Sequence, residues 1–203
     1  MGDAPTTNSG LPGVGEVAYG SHICHFYRNR KELVDVLVPF FKAGLEQGER
    51  CAWITAPPLP SVEAVAELRK AVPDLDRHLA EGRIRIADFN VWYPAQLGDQ
   101  ANQVIGQWLA AEEQALAAGF RGLRASGNTA FVRPEDREGF MRYEARVTDA
   151  FQGRRIVGLC SYDLLQCAAT DVFEAVHTHP STLDPRDGRW EILERISGRT
   201  GRP

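Results

Sequence analysis

The sequence predicts a three-layer α/β domain with a mostly parallel central sheet and helices on both faces. Three observations carry this. Strand-like apolar runs alternate with helix-period segments along most of the chain. The segments joining successive strands are long enough for right-handed βαβ crossovers. With 203 residues, 43% hydrophobic and 25% charged, the chain suits one globular domain that folds without disulfides or metal, burying about 70% of its unfolded surface.

Residues 1–18 are polar and rich in Gly, Pro and Thr, and read as a disordered leader rather than a signal peptide. Ser21–Tyr27 is the first strand. The helix after it carries Leu33, Val34, Leu37, Phe40, Phe41 and Leu45 at amphipathic spacing, with Pro39 expected to kink it or mark a local break and Gly48 to end it. Cys51–Thr55 is a strand stopped by Ala56-Pro57-Pro58, and Ser61 caps a helix to about Ala71. A short helix over Leu75–Ala80 ends at Gly82. Arg83–Phe89 alternates apolar and polar as a half-buried strand does, and Asn90–Pro94 is a loop with two large aromatics. Asp99 caps a helix through Ala118, Gly122–Ser126 is the fourth strand, and 127–133 is a loop. Pro134 opens a helix bearing Phe140, Tyr143, Glu144, Val147 and Phe151. Arg155–Ser161, the most continuously apolar run, is expected at the centre of the sheet. A helix over Ala168–His177 stops at Pro180, and Trp190–Leu193 adds an edge strand. The domain is expected to span 19–194, with 195–203 a disordered tail.

A net charge of -4 argues against direct nucleic-acid binding, which needs a basic stripe. No apolar run approaches the roughly 20 residues of a membrane span, so no membrane contact and a cytoplasmic location are expected. Cys24, Cys51, Cys160 and Cys167 then read as reduced thiols. After the first strand, where a phosphate loop would lie, stands Arg28-Asn29-Arg30-Lys31-Glu32. The pattern Gly-x-x-x-x-Gly-Lys-Ser/Thr, whose backbone N–H groups cradle phosphates, is absent. The fourth strand ends in Ala125-Ser126, without a carboxylate for Mg²⁺. The domain is therefore expected not to be an enzyme, with no cofactor expected. Arg28 and Lys31 leave anion or nucleotide binding without hydrolysis open.

In parallel sheets ligands sit beyond the carboxyl ends of the strands. The ligand-binding candidates there are His22, His25, Tyr27, Arg28, Trp53, Trp92, Tyr93, Arg124, Asn128, Cys160 and Tyr162, aromatics for an apolar pocket and polar groups for orientation. Phe89 and Asp163 lie beside them, although Trp53 and Phe89 taken singly also suit plain core. Weaker metal candidates are His22, Cys24, His25, Cys160, His177 and His179; strand alternation puts His22 and Cys24 on one side and His25 on the other, and no zinc spacing pattern supports them. Cys160 with His22 or His25 is the one pair to consider for nucleophilic chemistry, and Cys24/Cys160 or Cys160/Cys167 for a redox switch. Glu144, on the apolar side of its helix, is expected to pair with Arg124.

His22-Ile-Cys-His-Phe-Tyr27, Gly44-Leu-Glu-Gln-Gly-Glu49, Cys51–Thr55, Gly122-Leu-Arg124, Cys160-Ser-Tyr-Asp163 and His179-Pro180 together resemble the MEDS domain, the sensory domain of methanogen, methylotroph and dichloromethane-regulator proteins. The resemblance covers about Gly20 to Leu193. Ala43–Thr55 is similar to the first helix and second strand of KaiC. The resemblance implies a RecA/KaiC-like fold without a P-loop, with the first strand between the fifth and fourth, Cys24 beside Cys160, and Arg124 on the other side of that strand. It also implies a bacterial or archaeal sensor of a small, largely apolar hydrocarbon derivative. Signalling would run to a regulatory protein partner of kinase, anti-sigma or transcription-regulator type. A homodimer through Leu- and Ala-rich helix faces such as Trp108 to Leu116 is allowed. The alternatives are a protein-interaction module with an empty degenerate cleft, and a thiol or metal redox sensor.

Overall fold

The computed structural model describes residues 4–94 and 100–195. The first strands, β1 (Thr6–Asn8) and β2 (Glu16–Ala18), form an antiparallel hairpin. Then come β3 (His22–Tyr27), α1 (Arg30–Glu46), β4 (Arg50–Thr55), α2 (Ser61–Ala71), α3 (Leu75–Ala80), β5 (Ile84–Asp88) and α4 (Phe89–Trp92). They are followed by α5 (Ala101–Ala117), β6 (Leu123–Asn128), α6 (Arg137–Phe151), β7 (Ile156–Asp163), α7 (Ala169–Thr178), β8 (Ser181–Arg186) and β9 (Arg189–Glu194). The main sheet has the order β5-β4-β6-β7-β3-β8-β9. Its ladders are parallel except β8–β9.

Strand alternation divides the core. Ile23, Trp53, Val157 and Leu159 pack with Phe40 and Phe41 of α1 and with Leu68 of α2. Ala52, Ile54, Leu123, Ala125 and Ile156 pack on the other face with Trp108 of α5 and Tyr143, Val147 and Phe151 of α6. Each fully buried Leu, Ile or Phe contributes about 1.5–3 kcal/mol, so both helix layers are bound to the sheet mainly by apolar burial. β7 is the fourth of the seven strands, the central place its apolar run predicts.

Four expectations are corrected. The first strand, β3, lies between β7 and β8, not between the fifth and fourth strands; β6 is on the far side of β7. The cause is β8, whose residues 181–183 pair with β3 and occupy its second edge. Cys24 is nevertheless in register with Cys160, while Arg124 is two strands away. Second, β8 itself is hidden in the sequence by Pro185, which falls beyond the three residues that pair with β3. Third, residues 6–18, read as part of a disordered leader, are folded onto the domain: Thr7, Ser9, Leu11 and Val17 are buried. Arg124 donates to the Asn8 carbonyl at 2.7 Å, the Ser9 carbonyl at 3.1 Å and Thr7 Oγ1 at 3.3 Å. Fourth, α1 runs through Pro39 as one helix.

The start of α2 is secured from elsewhere in the chain. Asp88, ending β5, accepts from the Ser61 backbone N–H and from Ser61 Oγ, both at 2.8 Å, so it caps α2 in place of Ser61. Asp99, the expected cap of α5, lies outside the described residues. No helix among the described residues is long and apolar enough to cross a membrane.

Candidate functional site

Where the phosphate loop would lie, two residues join β3 to α1. Asn29 caps the helix by accepting from the Glu32 N–H at 3.0 Å, and Glu32 Oε2 accepts from the Arg28 N–H at 2.8 Å. This reciprocal box occupies backbone donors that a phosphate would need. Arg28 itself is exposed.

On the opposite face of β3, toward α6 and α7, four heteroatom-bearing side chains converge. His22 comes from β3, Cys160 from β7, Glu144 from α6, and His179 from the residue that ends α7. Their donor atoms all lie within 4.8 Å of one another. His22 Nε2 is 3.1 Å from Cys160 Sγ and 3.6 Å from Glu144 Oε2; His179 Nε2 is 3.2 Å from the same oxygen. His22, Glu144 and His179 are at most 1% exposed, and Cys160 is partly buried.

The surroundings engage both Nδ1 atoms. Thr148 Oγ1 gives its one proton to the Thr178 carbonyl at 2.8 Å, so it can only accept from His22 Nδ1, also at 2.8 Å. His179 Nδ1 donates to the Ala175 carbonyl at 2.8 Å. Each ring therefore turns its Nε2 toward Glu144. His179 Nε2 has no hydrogen-bond partner. Burial, then the neighbouring His179, pushes the His22 pKa well down. Burial, then the Glu144 carboxylate, pushes the Cys160 thiol well up. Tyr162 Oη donates to Glu144 Oε2 at 3.2 Å, and burial raises its pKa as well.

Local sequence makes this packing feasible. Gly158 is in register with His22; a Cβ there would stand 2.7 Å from the Phe151 ring and 3.3 Å from the His22 ring. Pro180 holds His179 extended, at φ -101 and ψ 137, which ends α7 with the imidazole turned inward.

His22, Glu144 and Cys160 also form one wall of a cavity of about 20 Å³, room for the centre of roughly one water-sized molecule. Tyr93, Trp108 and Tyr143 from the α4–α5 and α6 side form another wall. Trp108 Nε1 donates to Tyr143 Oη at 3.0 Å.

The remaining candidates are dispersed, contrary to one pocket at the carboxyl edge. Trp53 is stacked on Phe41 at 4.9 Å in the core. Trp92 packs on Trp108 at 4.3 Å. Tyr27 is bonded to Asn128 at 3.0 Å on the α1 face. His25, on that face too, contacts Ser161 Oγ at 3.1 Å and the Trp190 ring. Tyr162 lies against Phe26 and His179. Of the metal candidates, Cys24 packs with Met141 and Ala175, His25 faces away, and His177 is exposed. Arg124 does not pair with Glu144. It is buried against Glu49 at 2.5 Å and lies over Phe40, because alternation along β6 turns it away from α6. Glu144 is the member of the cluster that sequence reasoning did not place there.

The mostly parallel seven-stranded sheet with helices on both faces matches a RecA-type, KaiC-like fold. The crystal structure of a KaiC-like protein from the hyperthermophilic archaeon Pyrococcus horikoshii OT3 is similar with a TM-score of 0.56 at 14% identity, over 95% of this chain and 88% of that one. The family description of the MEDS domain, "MEthanogen/methylotroph, DcmR Sensory domain", matches residues 21–180, and the chain belongs to that family. No curated protein is significantly similar in sequence.

Proposed function

We propose that this sensory domain binds a small, largely apolar hydrocarbon derivative, of about one-carbon size, in the cavity between the His22–Glu144–Cys160 wall and the aromatic wall of Tyr93, Trp108 and Tyr143. The carrying observation is the cavity's composition: aromatic faces against a few convergent polar atoms, the makeup of a selective small-molecule site. Its size, with room for the centre of roughly one water-sized molecule, favours the smallest one-carbon molecules. Occupancy bears on α6 through Glu144 and Tyr143, and on α7 through the Glu144–His179 contact, so these helices carry the state to a regulatory protein partner. The domain performs no catalysis: the phosphate-loop position is spent on a helix cap, and the thiol is held protonated.

The test is isothermal titration with methanol, formaldehyde and dichloromethane, with Gly127→Ala as the comparison. A Cβ at Gly127 would lie 3.0 Å from Tyr93 Oη, narrowing the cavity. Saturable binding that the variant weakens at least tenfold, with its melting temperature retained, supports the reading. No binding by the wild type, or equal binding by both, overturns it.

A further inference from the structure

We propose that His22 Nε2, Glu144 Oε2, Cys160 Sγ and His179 Nε2 bind one divalent cation of the zinc type. The inference stands on the side-chain cluster and does not depend on the cavity ligand.

Four electron-pair donors point at one another. Both imidazoles have committed their Nδ1–H to Thr148 and to the Ala175 carbonyl, and so turn their Nε2 atoms to the centre of the cluster. That is the arrangement in which metal-bound histidines are held, with the remote nitrogen donating to a backbone carbonyl or hydroxyl. Against them stands a carboxylate with no permanent counter-ion. Glu49 is paired with Arg124 and Glu112 with Arg154. Glu144, equally buried, has ion-pair contacts only to His22 and His179 among the described residues. A buried carboxylate without an arginine or lysine partner needs positive charge close to it.

The spacing fits a metal. Zinc bonds of about 2.0–2.3 Å in a tetrahedron put neighbouring donors roughly 3.3–3.8 Å apart. The contacts here are 3.1, 3.2 and 3.6 Å. Two imidazoles, a thiolate and a carboxylate make a borderline-soft donor set suited to zinc rather than magnesium or calcium. Binding displaces the thiol proton to solvent. Thiolate and carboxylate then contribute two negative charges and the cation two positive, so the buried group is neutral. Three of the four ligands also wall the cavity, and His179 does not. His179 therefore completes the tetrahedron from the side away from the cavity.

The experiment uses the full chain, stripped with a chelator and dialysed against zinc(II) or cobalt(II). The expected result is one metal per chain, a higher melting temperature, and a thiolate-to-cobalt charge-transfer band. Cys160→Ser removes that band and Cys167→Ser keeps it. X-ray absorption on the wild-type zinc protein, which needs no variant, is expected to give one sulfur at about 2.3 Å and nitrogen or oxygen neighbours at about 2.0–2.2 Å. Substoichiometric metal at saturating zinc, a first shell without sulfur, or a cobalt band that survives Cys160→Ser overturns the proposal. Stoichiometric metal in a protein that binds no small molecule would sink the ligand reading and leave this one standing.

Discussion

Arg124 and Glu49 form an ion pair at 2.5 Å with neither side chain exposed to solvent. Glu49 is also held by Tyr19 Oη at 2.7 Å, and Arg124 reaches the Phe40 carbonyl at 2.8 Å. The guanidinium thus ties β6, the end of α1 and the N-terminal hairpin to one point. Removing one partner leaves the other charged and buried, so Arg124→Met is expected to cost about 3–5 kcal/mol. Urea denaturation of the variant checks it, and Arg124→Lys, which lacks the forked donors, is expected to recover little.

Deletion of residues 1–18 is expected to destabilise the domain by several kcal/mol, on the order of the cost of orphaned charged donors. The deletion strips Arg124 of its acceptors on Thr7, Asn8 and Ser9. A melting temperature unchanged by the deletion would contradict this.

Gly44 lies in α1 where an added Cβ would meet Arg124 Cδ at 2.7 Å and Cys51 Sγ at 2.9 Å. Helix propensity alone favours alanine there by about 1 kcal/mol. Overpacking against the ion pair outweighs it, and Gly44→Ala is expected to lose about 1–3 kcal/mol, read from the shift in denaturation midpoint.

His25 sets a pH dependence. Burial holds its folded pKa down to about 3, against 6.5 for the free side chain. Between those values the unfolded chain takes up a proton that the folded protein refuses. Stability is therefore full above pH 6.5 and falls as pH drops toward 3, by about 1.4 kcal/mol per pH unit within that window. His25→Gln removes this group's share while retaining a partner for Ser161. Denaturation midpoints compared at roughly pH 6 and pH 4 should show a shallower slope in the variant, with the contribution of His22 remaining.

Much of the architecture was legible because apolar runs and helix periodicity report local structure directly. The five parallel strands from β3 to β7 and the long helices lie near their expected positions. Strand order was not legible, since it depends on which non-adjacent strands meet. β1 and β2 were concealed by polar, Gly-rich composition, because the segment is held by hydrogen bonds from Arg124 together with only a few scattered apolar side chains such as Leu11 and Val17. Within the site, His22, Cys160 and His179 had each been singled out as donors, but nothing local announces that residues 22 and 179 meet. Glu144 carried a usable signal. Its helix faces the Leu123 and Ala125 side of β6, and period-two alternation alone puts Arg124 on the opposite face.

The contact between His22 and His179, with ring centroids 4.1 Å apart, joins the first strand of the sheet to the junction between its last helix and the closing strand pair. The two residues are nearly the full domain apart along the chain. During synthesis the cluster cannot assemble until His179, at the end of α7, has emerged. The centre therefore acts as a clasp, coupling its own integrity to the completeness of the fold.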